Sequence, residues 1–180
     1  MPEKKATLEK GYVQVYTGNG KGKTTAALGL AFRAMGRSLK TYIGQFMKGQ
    51  FYAELKSAAM VPPYITIEQY GRKDVHVQKP PAKEDIQLAQ EGLGKARKAM
   101  LSGNYDLIIF DEINTAHFYQ LISLNDMLNL IADKPDGVEI VFTGRYAPPE
   151  IIDQADLVTE MVEVKHYFQK GVYARDGIER

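Results

Sequence analysis

Residues 17–25 read TGNGKGKTT, with three glycines and two lysines ahead of a pair of threonines. Gly18, Gly20 and Gly22 let the backbone adopt unusual dihedrals and turn successive N–H groups toward one point, where a polyphosphate can be cradled. A helix starting near Thr24 adds the positive end of its dipole. Lys23 supplies a point charge to such a ligand, the Thr24 hydroxyl can ligate Mg²⁺, and Asn19, Lys21 and Thr25 complete the turn. The usual phosphate-loop expression, G-x-x-x-x-G-K-[ST], is missed by one residue: Thr17 stands where the first glycine belongs, and Gly18 follows it. A flexible turn accounts for the glycines but not for Gly-Lys-Thr at a strand-to-helix junction, so nucleotide-phosphate binding is the better reading.

Two further groups stand where an α/β sheet would gather them. Asp111 and Glu112 follow the apolar run 107–110, which puts two carboxylates at the C-terminal end of a strand, the edge where ligands bind in open α/β folds. Such an acid holds a phosphate-bound cation, directly or through water, opposite the phosphate loop. Thr143-Gly144-Arg145 repeats the placement after the next strand; Arg145 could clamp a phosphate or carboxylate, and a surface ion pair is an equal alternative. His76, His117 and His166 lack the i, i+4 spacing of a helical metal site and are assigned no role.

The elements that must position these groups follow from the hydrophobic pattern. Strands are predicted at 12–17, 40–46, 64–70, 106–111, 137–143 and 157–164, with helices at 24–35, 53–59, 83–102, 124–133 and 149–154. This alternation predicts an α/β fold, a doubly wound, mostly parallel sheet of about six strands, of the P-loop NTPase type, in a single domain covering 1–180 with residues 1–10 a flexible leading segment. The unbroken run at 107–110 marks a central strand. The stretch 71–81 has neither period and ends in a proline pair; it is expected to be an exposed loop with a binding role worth testing.

Composition narrows the chemistry. The 180 residues carry 23 Lys+Arg against 22 Asp+Glu, a net charge of +1, so no overall field draws in nucleic acid or an anionic membrane. With no Cys, a disulfide scaffold, a Cys-ligated metal and a thiol nucleophile are excluded. No signal-like segment opens the chain, and no apolar run approaches the ~20 residues of a membrane span; a soluble, cytoplasmic protein is expected.

Taken in order, TGNGKGKTT at 17–25, QFMKG at 45–49, DEIN at 111–114, TGR at 143–145, ADLVTEM at 155–161 and the tail from Lys165-His166 to Gly177-Ile178-Glu179 resemble the ATP:corrinoid adenosyltransferases of the P-loop type, the cob(I)alamin and cob(I)yrinic acid a,c-diamide adenosyltransferases, across nearly the whole chain. The late glycine is a feature of that family. The resemblance implies transfer of the 5′-deoxyadenosyl group of ATP to the cobalt(I) centre of a corrinoid, with release of triphosphate, in adenosylcobalamin biosynthesis or salvage. ATP is then a co-substrate, the reduced corrinoid the other substrate, and Mg²⁺ or another divalent cation the required metal. It also implies a homodimer and an electron-donating reductase or flavoprotein as partner.

Carried over by position, Gly18 to Thr25 would bind the triphosphate, Thr24 and Glu112 would ligate the metal, and Asp111 would support them. Lys23, Glu112 and Asp111 are thus the candidate catalytic groups. Arg145 would contact nucleotide or corrinoid, and Gln45, Lys48 and Gly49 would lie beside the crevice. The chain departs from the family at 70–77, YGRKDVHV, which has no Phe or Trp where several members carry aromatic rings against the corrinoid. Two other readings remain at this level: a P-loop ATPase or small-molecule kinase using Asp111 or Glu112, and a non-catalytic ATP- or corrinoid-binding protein.

Overall fold

The structure, a computed structural model, describes residues 7–73 and 76–180. Six strands form one sheet in the order β3-β2-β4-β5-β1-β6, every neighbouring pair parallel. In chain order they are β1 Val13–Thr17, β2 Thr41–Phe46, β3 Ile65–Tyr70, β4 Leu107–Asp111, β5 Glu139–Thr143 and β6 Leu157–Glu160. The helices are α1 Lys23–Met35, α2 Ala53–Ala59, α3 Lys83–Leu101, α4 Ile113–Phe118, α5 Leu124–Asp133 and α6 Pro149–Gln154, with a 3₁₀ turn at Tyr167–Lys170. The architecture is that of a P-loop NTPase-like domain, with the sheet wholly parallel rather than mostly so.

The pleat sorts each strand's apolar residues between two layers. Ile108 and Phe110 of β4 join Ile140, Phe142, Tyr42 and Phe46 on the face covered by α3, α4, α5 and α6. Leu107 and Ile109 face the opposite layer with Ile43 and Val141, where Ala27 and Ala31 of α1 lie one helical turn apart. Those small side chains let α1 approach the sheet closely, and its N-terminus arrives at the C-terminal edge of the strands. Burial on both faces explains why β4 is an unbroken apolar run.

Register delivers the polar strand ends to that same edge. Gln45 pairs with Asp111, Phe110 with Phe142 and Tyr16 with Thr143, so Gln45, Asp111 and Thr143 end adjacent strands at one level. β5 lies between the strand that feeds the phosphate loop and the strand that carries the acids.

Most boundaries fall within two residues of the sequence reading, and the larger departures are at β6 and α4. β6 ends at Glu160, not at 164. As an edge strand its only sheet partner is β1, and where β1 turns into the glycine loop the pairing passes to that loop, through Met161 N–H to the Thr17 carbonyl and Gly20 N–H to the Met161 carbonyl. The helix α4 was not anticipated, its six residues being too short to show a period. The described residues of the loop after β3 are exposed or half-buried, as expected, and the loop is anchored at its start, where Arg72 makes a two-pronged ion pair with buried Asp85 of α3, at 2.7 and 2.8 Å. Residues 1–6 of the expected flexible segment, and Asp74 and Val75 of the loop, lie outside the described residues. Among the described residues, no helix is long and apolar enough to cross a membrane.

Candidate active site

The glycine loop joins β1 to α1 with two residues that only glycine adopts easily, Gly18 at φ 93° and Gly22 at φ 124°. A side chain at Gly18 or Gly20 would also collide with the Met161 backbone, its Cβ falling 2.5 and 2.7 Å from the Met161 carbonyl oxygen. Lys23, the first residue of α1, is buried and turns back into the loop, where its Nζ donates to the carbonyls of Gly18 at 2.8 Å and Gly20 at 2.7 Å. Burial holds the Lys23 ammonium below its usual pKa, and Arg145 adds to this against the pull of Glu112 and Asp111.

Asp111 is the hub beneath the loop. It is fully buried; its Oδ1 accepts from the Thr24 hydroxyl at 2.8 Å and the Thr143 hydroxyl at 2.7 Å, and its Oδ2 from Lys48 Nζ at 2.8 Å and Gln45 Nε2 at 3.3 Å. Burial alone would raise its pKa; the Lys48 charge and hydrogen bond, with the two hydroxyls, pull it below the ordinary carboxylate range. Burial would likewise lower Lys48, yet Asp111, Glu112 and Glu54 keep its ammonium raised above the usual value. Lys48 also lies 3.9 Å from Glu54 and 4.9 Å from the centre of the Tyr52 ring.

Glu112, the next residue, has left-handed backbone geometry at φ 63°, an uncommon conformation that turns the chain sharply from β4 into α4. Its N–H donates to the Thr143 hydroxyl at 2.9 Å, and its Oε2 accepts from the Thr115 hydroxyl at 2.6 Å. Thr115 in turn accepts the Arg145 N–H at 3.0 Å. Thr143 and Thr115 thus tie the two acids to the turn after β5, a role that sequence reading did not assign. Strand register is what would have revealed it, because Thr143 ends the strand beside Asp111.

Thr24, Thr25, Glu112, Lys48, Tyr52 and Glu54 line one cavity of about 440 Å³, together with Gly177–Arg180 of the tail. A second cavity of about 300 Å³ lies on the other side of Lys48 and Tyr52, lined by Gly49, Gln50, Arg72 and His76. The structure therefore brings Gly18–Thr25, Gln45, Lys48, Asp111 and Glu112 to one edge. Gly49 packs on the backbone of Gly71 and Arg72 and sits in the second cavity only. Asn19 and the Arg145 side chain are exposed, and Lys21 points out of the loop toward the tail.

The oxygen donors suit a hard divalent cation. With its proton given to Asp111, the Thr24 hydroxyl keeps lone pairs for a metal, and Glu112 offers a carboxylate in the same cavity. Asp111 has all four of its hydrogen-bonding positions taken, which suits support rather than ligation. Among the described residues no cluster of three or more His, Cys, Asp or Glu could hold a metal unaided, so a cation here would draw its other ligands from phosphate and water, as Mg²⁺ does.

Residues 9–180 match the family described as ATP:corrinoid adenosyltransferase BtuR/CobO/CobP. The chain is 33% identical over 181 residues to the corrinoid adenosyltransferase of Pseudomonas aeruginosa, covering 95% of this chain and 84% of that protein. It is 32% identical over 179 residues to the corrinoid adenosyltransferase of a Sinorhizobium species, with 96% and 82% covered, and 30% identical over 171 residues to that of Escherichia coli strain K12, with 95% and 86% covered.

Proposed function

The chain belongs to the ATP:corrinoid adenosyltransferase family, and from that premise we propose that it moves the 5′-deoxyadenosyl group of ATP onto the cobalt(I) of a reduced corrinoid and releases triphosphate. The observation that carries this reading is the meeting of Lys23, Thr24, Asp111 and Glu112 at the mouth of the glycine loop. In the reaction the electron pair of cobalt(I) forms a bond to C5′, the C5′–O bond breaks, and its electron pair leaves with the triphosphate. The charge that develops is therefore spread over the polyphosphate, far from any group that needs a general base.

The protein's part is to bind and stabilise that charge. Loop amides of Gly18–Gly22 and the N-terminus of α1 face the phosphates, and Lys23, once it swings from the Gly18 and Gly20 carbonyls, adds a full charge. Thr24 and Glu112 would hold the divalent cation, which supplies a further positive charge on phosphate oxygens when bound. Asp111 keeps Thr24 and Lys48 in register, with Gln45 beside it. The second cavity, with Gly49, Arg72 and His76, lies next to Lys48 on the β3 side and offers room for part of the corrinoid, and Arg145 flanks the opposite side. A homodimer and a reductase partner remain part of the proposal through the resemblance, as does a cytoplasmic setting.

The test is direct. Purified protein is mixed with ATP, Mg²⁺ and chemically reduced corrinoid, and the visible spectrum and phosphate products are followed. An adenosylcorrinoid and triphosphate in equal amounts are expected; ADP, or no change in the corrinoid spectrum, would overturn the reading.

A further inference from the structure

The last twenty residues belong to neither core, and yet they hold the glycine loop from outside. Beyond β6, Met161 receives the Gly20 N–H at 2.6 Å and gives its own N–H to Thr17 at 2.8 Å. The chain then runs through the turn at Tyr167–Lys170, reverses at Gly171 and returns. Its end meets the loop again: Lys21 Nζ lies 2.7 Å from Glu179 Oε1, 3.1 Å from the Tyr167 hydroxyl and 3.2 Å from the Ile178 carbonyl. Glu179 is itself fixed by Arg175, through its backbone N–H at 2.8 Å and its guanidinium at 3.1 Å, and by the Tyr167 hydroxyl.

Two features separate this cluster from an ordinary surface ion pair. The Glu179 side chain is only 15% exposed, and its carboxylate takes donors from three residues. Gly177–Arg180 also line the cavity that Thr24, Thr25 and Glu112 line. Lys21 has its donors satisfied away from the loop interior, so withdrawing it to meet a phosphate would leave Glu179 short of a partner. Its position serves to fasten the loop.

We propose that residues 161–180 form a strap that sets the shape of the phosphate loop, with Glu179 a positioning residue that acts through Lys21. The proposal rests on the reading that this loop holds the ATP polyphosphate. A loop tied at Gly20 and at Lys21 is already in its cradle form, so ordering it costs the ligand nothing; a loop released from the strap must be ordered on binding.

The experiment is a double-mutant cycle on the full chain: Glu179→Gln, Lys21→Met and the pair together. Affinity for MgATP and for Mg-triphosphate is measured by calorimetry, and amide hydrogen exchange is followed at residues 18–22 without ligand. Each single variant is expected to weaken both ligands roughly tenfold and to speed exchange in the loop, the double variant being no more than about twofold worse than the weaker single one, since both remove one interaction. Glu179→Asp, which keeps the charge, should retain most of the affinity. Glu179→Gln that binds and exchanges as the unaltered chain does, or whose loss recurs in full on the Lys21→Met background, would overturn the proposal. An unaltered chain that binds neither ligand would instead overturn the ATP reading, and the exchange measurement would still decide the strap.

Discussion

Asp111 and Lys48 form a buried pair whose two members need each other. Lys48→Met would leave the carboxylate without its cation and is expected to lower stability at pH 7 by about 3–5 kcal/mol, read from urea unfolding. The pH dependence carries a definite sign. In the unaltered chain the depressed Asp111 pKa gives stability that is present above the ordinary carboxylate range and is lost as pH falls through the folded value below it. The raised Lys48 pKa gives stability present up to the ordinary lysine range and lost as pH rises through the folded value above it. In Lys48→Met, burial is opposed only by hydroxyl and amide donors, so the Asp111 pKa rises; protonation then relieves the unpaired charge, and the deficit against the unaltered chain shrinks as pH falls from 7 toward 4.5. A deficit that grows over this interval would contradict the pairing.

At the scale of elements, α3 meets the sheet through a missing side chain. Gly92 lies against the Tyr70 ring so closely that a Cβ there would run into it, and Gly44 of β2 receives the same ring from below, its Cβ position 2.8 Å from Tyr70 Cε2. The Tyr70 hydroxyl bonds that of Tyr42, and burial raises the pKa of both, that of Tyr42 to about 12. Gly92→Ala should therefore cost about 1–3 kcal/mol by overpacking, despite alanine's better helix propensity, seen as a lower Tm. Nothing at 92 announces this in the sequence, because the clash depends on a ring 22 residues away. The glycine loop and the apolar run ending in Asp111-Glu112 were legible, since each is a local pattern with a local cause. The Lys48–Asp111 pair spans 63 positions and becomes visible only when β2 and β4 are known to be neighbours. The strap lacks any period, and its contacts are made by backbone groups and polar side chains whose partners the pattern does not name.

Over the whole molecule, the fold and the strap separate cleanly. The fully buried residues of both cores run no further than Ile151, Ala155 packs against the larger one, and residues 161–180 are exposed or half-buried throughout. A chain truncated after Lys165 is thus expected to keep the circular dichroism of the six-stranded sheet and a Tm within about 5 °C of the full chain, while binding MgATP far more weakly. Unfolding on truncation would mean that the tail carries part of the core stability. The net charge of +1 is also informative at this scale: under the proposed function the attraction for ATP would be local, supplied by Lys23 and the α1 terminus without charging the surface at large. The bond of Lys23 to the Gly18 and Gly20 carbonyls bears on timing. To meet an incoming phosphate the ammonium has only to leave two hydrogen bonds and rotate about its own side-chain bonds, with no rearrangement of the loop backbone. In stopped-flow mixing the observed rate should therefore rise in a straight line with ATP concentration and show no plateau, the kinetic mark of a receptor that waits for its ligand ready-made.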